Sequence, residues 1–225
     1  LVAGYSSGRG INDFSLARYE VDGAPDSTFG KAGVVTTDFN FTSDVATVVT
    51  YQGDGKIVVG GWTYSGSNHD FALARYEASG RLDSGFGSAG IVTTDLSGES
   101  DYIVHLGVLS DNSILVAGNS SGDNVLLRYN ENGSQFDRYE PIFTLDSASH
   151  SVSKFFIQPD DHVLAIGSSS KGAESAVLLA RYDQNGRLDK TVGDGKGFVN
   201  TAFTENFNVS ASSIISLSDG SVLVS

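Results

Sequence analysis

The sequence predicts an all-β chain built from a repeated unit of four strands. Three observations predict it. First, the stretch DFALARYEASGRLDSGFGSAGIVTTD at residues 70–95 has an ungapped copy, DFSLARYEVDGAPDSTFGKAGVVTTD, at 13–38, and weaker copies at 123–146 and 176–203. The LARY-type tetrapeptide begins at Leu16, Leu73, Leu126 and Leu179, in steps of 57, 53 and 53 residues. A second marker keeps pace with it: LVAGY at 1–5, VVGGW at 58–62, LVAGN at 115–119 and LAIGS at 164–168. A fixed period of about 50 residues marks a repeat architecture. Second, each unit holds four short, β-branched runs parted by turn residues. Third, no apolar 3.6-residue period lasts about eleven residues or more, so no long helix is expected.

The second repeat serves to justify each element in order. Run a, DVATVVTY at 44–51, alternates in polarity, as a strand with two unlike faces does. QGDGK at 52–56 turns it into run b, IVVGGWTY at 57–64. An Asp-Gly pair between two apolar runs is a strong hairpin signal. The loop SGSNHD, 65–70, leads to run c, FALARY at 71–76, and EASGRLDSGFGSAG, 77–90, returns the chain to run d, IVTTD at 91–95.

The long c–d connection has its own logic. Asp83 is expected to cap one helical turn that ends on Gly87, with Phe86 as the apolar anchor holding the turn to the sheet. Asp26, Phe29 and Gly30 repeat the arrangement; the third copy keeps Asp137 without the Phe-Gly pair, and the fourth has Asp189 with Val192 and Gly193. Arg18, Arg75, Arg128 and Arg181 recur in run c, eight or nine residues before these aspartates. A bidentate Arg–Asp bond fastening each connection to its blade is the reading that fits a pair present in every repeat. All ten residues are therefore read as structural.

Four antiparallel strands without covering helices need burial on both faces. ILVAG at 114–118 and AVLLA at 176–180 are apolar on both. Radial stacking of four-stranded blades meets that need and leaves short edges, so a β-propeller is expected. The repeats run approximately 1–43, 44–100, 101–148, 149–208 and 209–225, the first and last partial, as one propeller domain. The strand order is b-c-d, then three sets of four, then a-b, seventeen in all. A closed four-bladed ring uses sixteen, which favours an excerpt of a larger ring or array.

Composition narrows the function. At 225 residues the chain is long enough to bury roughly 70% of its unfolded surface. Fourteen Lys and Arg stand against 27 Asp and Glu, a formal charge of −13, which repels nucleic acid and anionic lipid. No apolar run reaches the ~18 residues of a membrane-spanning helix, so direct insertion by a helix is not expected. Cys and Met are both absent, which excludes a disulfide or thiolate-metal framework and suits an oxidising location.

DGKIVVGG, DFALARY, LDSGFG and IVTTD, in that order and spacing, resemble the bacterial delta-60 repeat family of β-propeller proteins. The resemblance covers essentially the whole chain and is weakest in the third copy, where YEPIF at 139–143 replaces the usual glycine signals. It implies large exported or surface-associated bacterial proteins with several repeats, and no catalytic residue.

Candidate chemistry is sparse. The b–c and d–a loops emerge at one end of the blades, and the b–c loops vary from repeat to repeat: YSSGRGIN, WTYSGSNH, NSSGDN and SSSKGAE. Loops on a rigid scaffold are where binding residues concentrate, and Tyr5, Trp62, Tyr64 and His69 offer stacking faces for sugars or peptides. The other reading of Trp62 is ordinary packing at a strand end. The histidines have no HxH or HExxH spacing, no GxSxG lies at a strand-to-helix junction, and GDGKG at 193–197 lacks the spacing of an EF-hand loop. No metal, cofactor or catalytic residue is expected. The expected function is a non-catalytic interaction or scaffold module of an exported or cell-surface bacterial protein, taking protein or glycan ligands through its variable loops. The alternatives are a propeller-type enzyme acting on carbohydrate or a lactone, and a purely structural spacer.

Overall fold

The computed structural model describes residues 1–8, 10–96, 98–121, 123–134, 136–139, 149–171, 174–202, 209, 211–216 and 221–225. Among them are seventeen strands and no helix. The first sheet has three strands, β1 (Val2–Gly8), β2 (Ile11–Ala17) and β3 (Val34–Thr37). The second has four, β4 (Asp44–Tyr51), β5 (Ile57–Tyr64), β6 (His69–Tyr76) and β7 (Ile91–Thr94), hydrogen-bonded in chain order. The same order holds for β8 (Asp101–Val108), β9 (Ile114–Ser120), β10 (Asp123–Tyr129) and β11 (Phe136–Arg138). It holds again for β12 (Ser149–Ile157), β13 (Val163–Lys171), β14 (Glu174–Tyr182) and β15 (Phe198–Ala202). A hairpin of β16 (Ile214–Ser216) and β17 (Val222–Val224) follows. The chain is thus all-β, with the four-stranded antiparallel blades of a propeller. It forms two compact units, one of residues 1–122 with 128–136 and the other of 123–127 with 137–225.

Each blade is drawn by the runs a to d. The Asp-Gly turn closes through Gln52 N–H to Lys56 O at 2.8 Å and Gly55 N–H to Gln52 O at 3.0 Å. The middle strands are buried on both faces: five consecutive residues of β5, Ile57–Gly61, and the last six of β6. The first strand of each four-stranded sheet carries a bulge at one and the same place, between Ala46 and Val48, Ile103 and His105, and Val152 and Lys154. The glycine opposite explains the VVGG signature. A Cβ on Gly61 would lie 1.9 Å from the carbonyl oxygen of Val45, so no other residue fits beside that bulge. In the first unit a core of Phe14, Leu16, Phe29, Phe39, Ile57 and Val59 lies between the first two sheets.

One expectation is corrected. The segment after Asp83 is a hydrogen-bonded turn and not a turn of helix. Phe86 N–H donates to Asp83 O at 3.0 Å, but Gly87 enters the left-handed region at φ +50° and its N–H goes to Asn132 O at 2.8 Å. A helix would aim that N–H back at Asp83. In the third sheet the fourth strand is β11, Phe136–Arg138; the run at 142–146 that the repeat predicts lies outside the described residues.

Candidate functional site

The two ends of the blades are built differently, and the a–b/c–d end is committed to holding the fold. Arg75 is 4% exposed, and its Nε donates to Asp83 Oδ2 at 2.7 Å. Burial works against the Asp83 carboxylate, but Lys56 Nζ at 3.0 Å, the N–H of Gly85 and Arg75 together hold its pKa below the usual carboxylate value. The guanidinium also lies over the Phe86 ring, 4.7 Å from its centroid, and donates to Glu131 O in the following repeat. The preceding repeat shares the three arginine contacts. Arg18 Nε meets Asp26 Oδ2 at 2.6 Å, lies 4.6 Å over Phe29, and donates to Ala78 O. Asp26 accepts from both the hydroxyl and the N–H of Thr28, which with Arg18 bring its pKa down to about 2.

The consequence is a clamp from one repeat to the next. Phe29 and Phe86 are fully buried, each beside a glycine of the following connection. A Cβ on Gly80 would come 2.9 Å from Phe29, and one on Gly133 would come 2.5 Å from Phe86. Both glycines also sit at positive φ, +86° and +72°. Gly30 N–H to Ser79 O at 2.9 Å and Gly87 N–H to Asn132 O complete the tie. A third bond recurs above it, from Tyr76 to Thr37 at 2.7 Å and from Tyr129 to Thr94 at 2.9 Å, and burial raises both phenols to about 12.

The later repeats depart from this. Arg181 meets Asp189 Oδ2 at 2.6 Å and Gln158 Oε1 at 2.7 Å. Thr191, through its hydroxyl and its N–H, and Arg181 lower the Asp189 pKa. Arg128 corrects the expected pairing. It bonds Ser113 Oγ at 2.9 Å and Asp111 Oδ2 at 2.5 Å on its own a–b turn, while Asp137 lies exposed in β11 and caps nothing. Without the Phe-Gly turn, nothing presents the Asp137 carboxylate to Arg128. Within the second unit, Tyr139 takes the aromatic place: a Cβ on Gly186 would lie 2.6 Å from its ring, which stacks 5.5 Å from Tyr182. An open hollow of about 700 Å³ lies there, lined by Arg138, Arg187 and Lys190 together with Asp183 and Asp189.

The b–c/d–a end is where chemistry-bearing side chains gather, and the gathering is in the first unit. Trp62 and Tyr64 close β5, and His69 opens β6 directly opposite Tyr64. His69 is the hub. Its ring lies 4.5 Å from Trp62, 5.5 Å from Tyr64 and 5.1 Å from Tyr102. The hydroxyl of Tyr102 lies 2.8 Å from its Nδ1. The loop between the strands is held rather than loose: Ser65 N–H donates to Asn68 O at 2.9 Å, and Asn68 Nδ2 donates to Glu99 O at 2.9 Å. Tyr64 is 38% exposed at the surface of this cluster, while Trp62 and Tyr102 are half-buried.

Three of the four expected binding residues are thus brought together, and one is not. Tyr5 stands at the repeat position of Trp62, opposite Phe14 where Trp62 is opposite Phe71, but is 57% exposed and outside the His69 cluster. Tyr102 is the residue that a reading of the b–c loops misses, because it comes from run a of the following repeat. Its signal is Tyr where the second repeat has Val45.

Carboxylates line the same end. Asp13 at the start of run c, Asp38 after β3 and Asp44 at the head of β4 place one oxygen each within 4.8 Å of one another. Asp44 is fully buried, with Oδ2 accepting from Phe39 N–H at 2.7 Å and Oδ1 from Thr63 at 2.5 Å. Burial, reinforced by the Asp38 charge, raises the pKa of Asp13; for Asp44 burial again dominates and outweighs its hydrogen bonds. Asp70 is raised in the same way, by burial and then by Asp95.

Comparison with curated proteins gives no match. A family model described as "Domain of unknown function (DUF5122) beta-propeller" matches residues 1–29, 52–86, 109–135 and 158–191, more than half of the chain. The match at 52–86 runs from the a–b turn through runs b and c to Asp83 and Phe86, and the match at 1–29 ends on Asp26 and Phe29, so in the first two repeats it covers the residues of the clamp. The chain belongs to the DUF5122 β-propeller family.

Proposed function

We propose that this β-propeller repeat chain is a non-catalytic interaction module of an exported or cell-surface protein, and that it takes protein or glycan ligands at the b–c/d–a loop end. The observation that carries the reading is the His69 cluster. Trp62, Tyr64, His69 and Tyr102 converge from two neighbouring repeats at one end of rigid strands. Aromatic rings with polar tips, set on a preformed surface, provide contact area at a small cost in ordering. The opposite end of the same repeats has its arginines, aspartates and phenylalanines already engaged with one another. The absence of Cys and Met and the formal charge of −13 suit an oxidising, external setting.

Glycan and peptide arrays test this with the parent protein and with Trp62→Ala, Tyr64→Ala and Tyr102→Ala. Binding is expected in the parent and is expected to fall by tenfold or more in Tyr64→Ala, with the fold intact by circular dichroism. Binding that survives all three changes, yet is lost on altering 183–190, would move the site to the other end. Turnover of a glycoside or lactone that depends on one carboxylate would replace the reading by the enzyme alternative.

A further inference from the structure

We infer that the hollow beside the fourth c–d connection, within the second unit, is a binding site for an acidic sugar, a carboxylate that also carries hydroxyls. Its lining sets three cations, Arg138, Arg187 and Lys190, around an open volume of about 700 Å³. That volume is in the range of small-ligand sites. All three residues are exposed, and among the described residues none of their side chains forms an ion pair. In a chain of formal charge −13, such a convergence is a local exception to the field of the molecule.

The two carboxylates of the lining do not answer these cations. Asp189 is occupied: Oδ2 accepts from Arg181 at 2.6 Å, and Oδ1 accepts from the hydroxyl and the N–H of Thr191 at 2.7 and 3.0 Å. Asp183 Oδ1 closes its own turn, accepting from the N–H of Asn185 and of Arg187, both at 2.9 Å. Its Oδ2 accepts no hydrogen bond among the described residues. The hollow therefore offers positively charged donors together with one open acceptor. A guanidinium fork takes a carboxylate or a phosphate equally well. An ionised Asp183 only accepts, so it asks the ligand for a donor. A sugar hydroxyl supplies that donor, whereas a phosphate or sulfate group brings further acceptors and a repelling charge.

The cations stand on backbone that is already fixed. Gly186 N–H donates to Asp183 O at 3.0 Å, Asp183 N–H to Arg187 O at 2.8 Å and Asp189 N–H to Arg181 O at 2.8 Å. Leu188, between Arg187 and Asp189, is buried. Beside Arg138, Tyr139 is buried against Gly186 and donates its N–H to Leu126 O at 2.9 Å. A ligand thus meets preformed groups and orders little on binding. The repeats show that this chemistry is not a copied feature. Lys190, nine residues after Arg181, stands where the first two repeats have Ser27 and Ser84. The third repeat also lacks the Phe-Gly pair that ties each of the first two to the next connection. The hollow therefore lies where the clamp between repeats changes, and its three cations are not the arginines that the clamp uses. It shares no residue with the aromatic cluster of the first unit and does not rest on the ligand reading above.

Calorimetric titration of the purified chain with trigalacturonate and triglucuronate, with their methyl esters and with inorganic phosphate tests it. Saturable binding of at least one acidic trisaccharide is expected, weakened at least tenfold by methyl esterification, and phosphate is expected to bind at least tenfold more weakly. Arg187→Gln and Lys190→Gln, both at exposed positions, are each expected to weaken binding about fivefold or more with the melting temperature unchanged. Arg138→Gln serves as a third variant if either fails to fold. Tyr64→Ala is expected to leave this binding as it is, which keeps the result separate from that of the arrays. Failure of both acidic trisaccharides to bind would overturn the proposal. Phosphate or the methyl esters binding as tightly as the acids would overturn it as well, and so would an affinity unchanged in the variants, by placing the sugar elsewhere.

Discussion

The two ends of the blades in the first unit solve the burial of charge in opposite ways. At the a–b/c–d end every buried charge has its complement: Arg75 has Asp83, Asp83 also has Lys56 and the N–H of Gly85, and the guanidinium covers Phe86. At the b–c/d–a end burial, and then a neighbouring carboxylate, Asp38 beside Asp13 and Asp44 and Asp95 beside Asp70, raises the affinity of Asp13, Asp44 and Asp70 for protons. One end is finished as a structure. The other carries unmatched groups together with exposed aromatic surface, and surfaces of that kind are what a partner or ion can complete. The difference teaches where a repeat protein keeps its freedom to bind: away from the elements that tie one repeat to the next.

The contrast breaks most visibly if the clamp is cut. Asp83→Ala leaves Arg75 buried without its carboxylate and is expected to cost about 3–5 kcal/mol in urea unfolding. Asp26→Ala is expected to cost less, since the Arg18 side chain is 21% exposed against 4% for Arg75. Equal losses at both positions, or a loss at Asp83 within experimental error of zero, would remove the clamp from the account.

A finer cut leaves the charges alone and tests the aromatic–glycine contact. Gly133→Ala places a methyl 2.5 Å from Phe86 at a residue with φ +72°, and is expected to cost about 1–3 kcal/mol for overpacking in addition to backbone strain. Gly55→Ala, at φ +85° with open space around it, carries the backbone strain alone. If the two variants unfold together, the ring contact contributes nothing.

The smallest effect is the most discriminating, because the two ends should answer pH with opposite signs. Asp26, near 2, and the lowered Asp83 and Asp189 contribute stability that is present above the unfolded carboxylate pKa of about 3.9 and lost as pH falls below it. Asp13, Asp44 and Asp70 are raised, so the folded chain takes up protons first and gains stability as pH falls from neutral toward that value. Stability is expected to rise from pH 7 to a maximum near the middle of the acid range and then fall, with Asp13→Asn flattening the upper limb. A steady decline from pH 7 would mean that the loop-end carboxylates are not strained.

Much of this was legible in the sequence, and for a definite reason. Period, strand count, turn positions and the Arg–Asp pair are properties of single repeats or of their copying. A strand needs only an alternating or apolar run with Gly and Asp at its ends, and IVVGGWTY and FALARY supply both within a few residues. The Arg75–Asp83 bond spans eight residues of one connection, so its partners can be found without knowing where other repeats lie. What only the tertiary structure decided are the features made between repeats. Gly87 gives its N–H to Asn132 rather than to a helix, Phe86 rests against Gly133, Tyr102 joins His69 from the next run a, and Asp13 meets Asp44 across a junction. Arg128 shows the same limit from the other side: the repeat pattern assigns it Asp137, but its blade lacks the Phe-Gly turn, and it bonds Asp111 and Ser113. Local sequence sets dihedral preference and burial along one chain segment. Which donor meets which acceptor across a junction depends on the stagger of stacked sheets, a quantity that no single repeat contains.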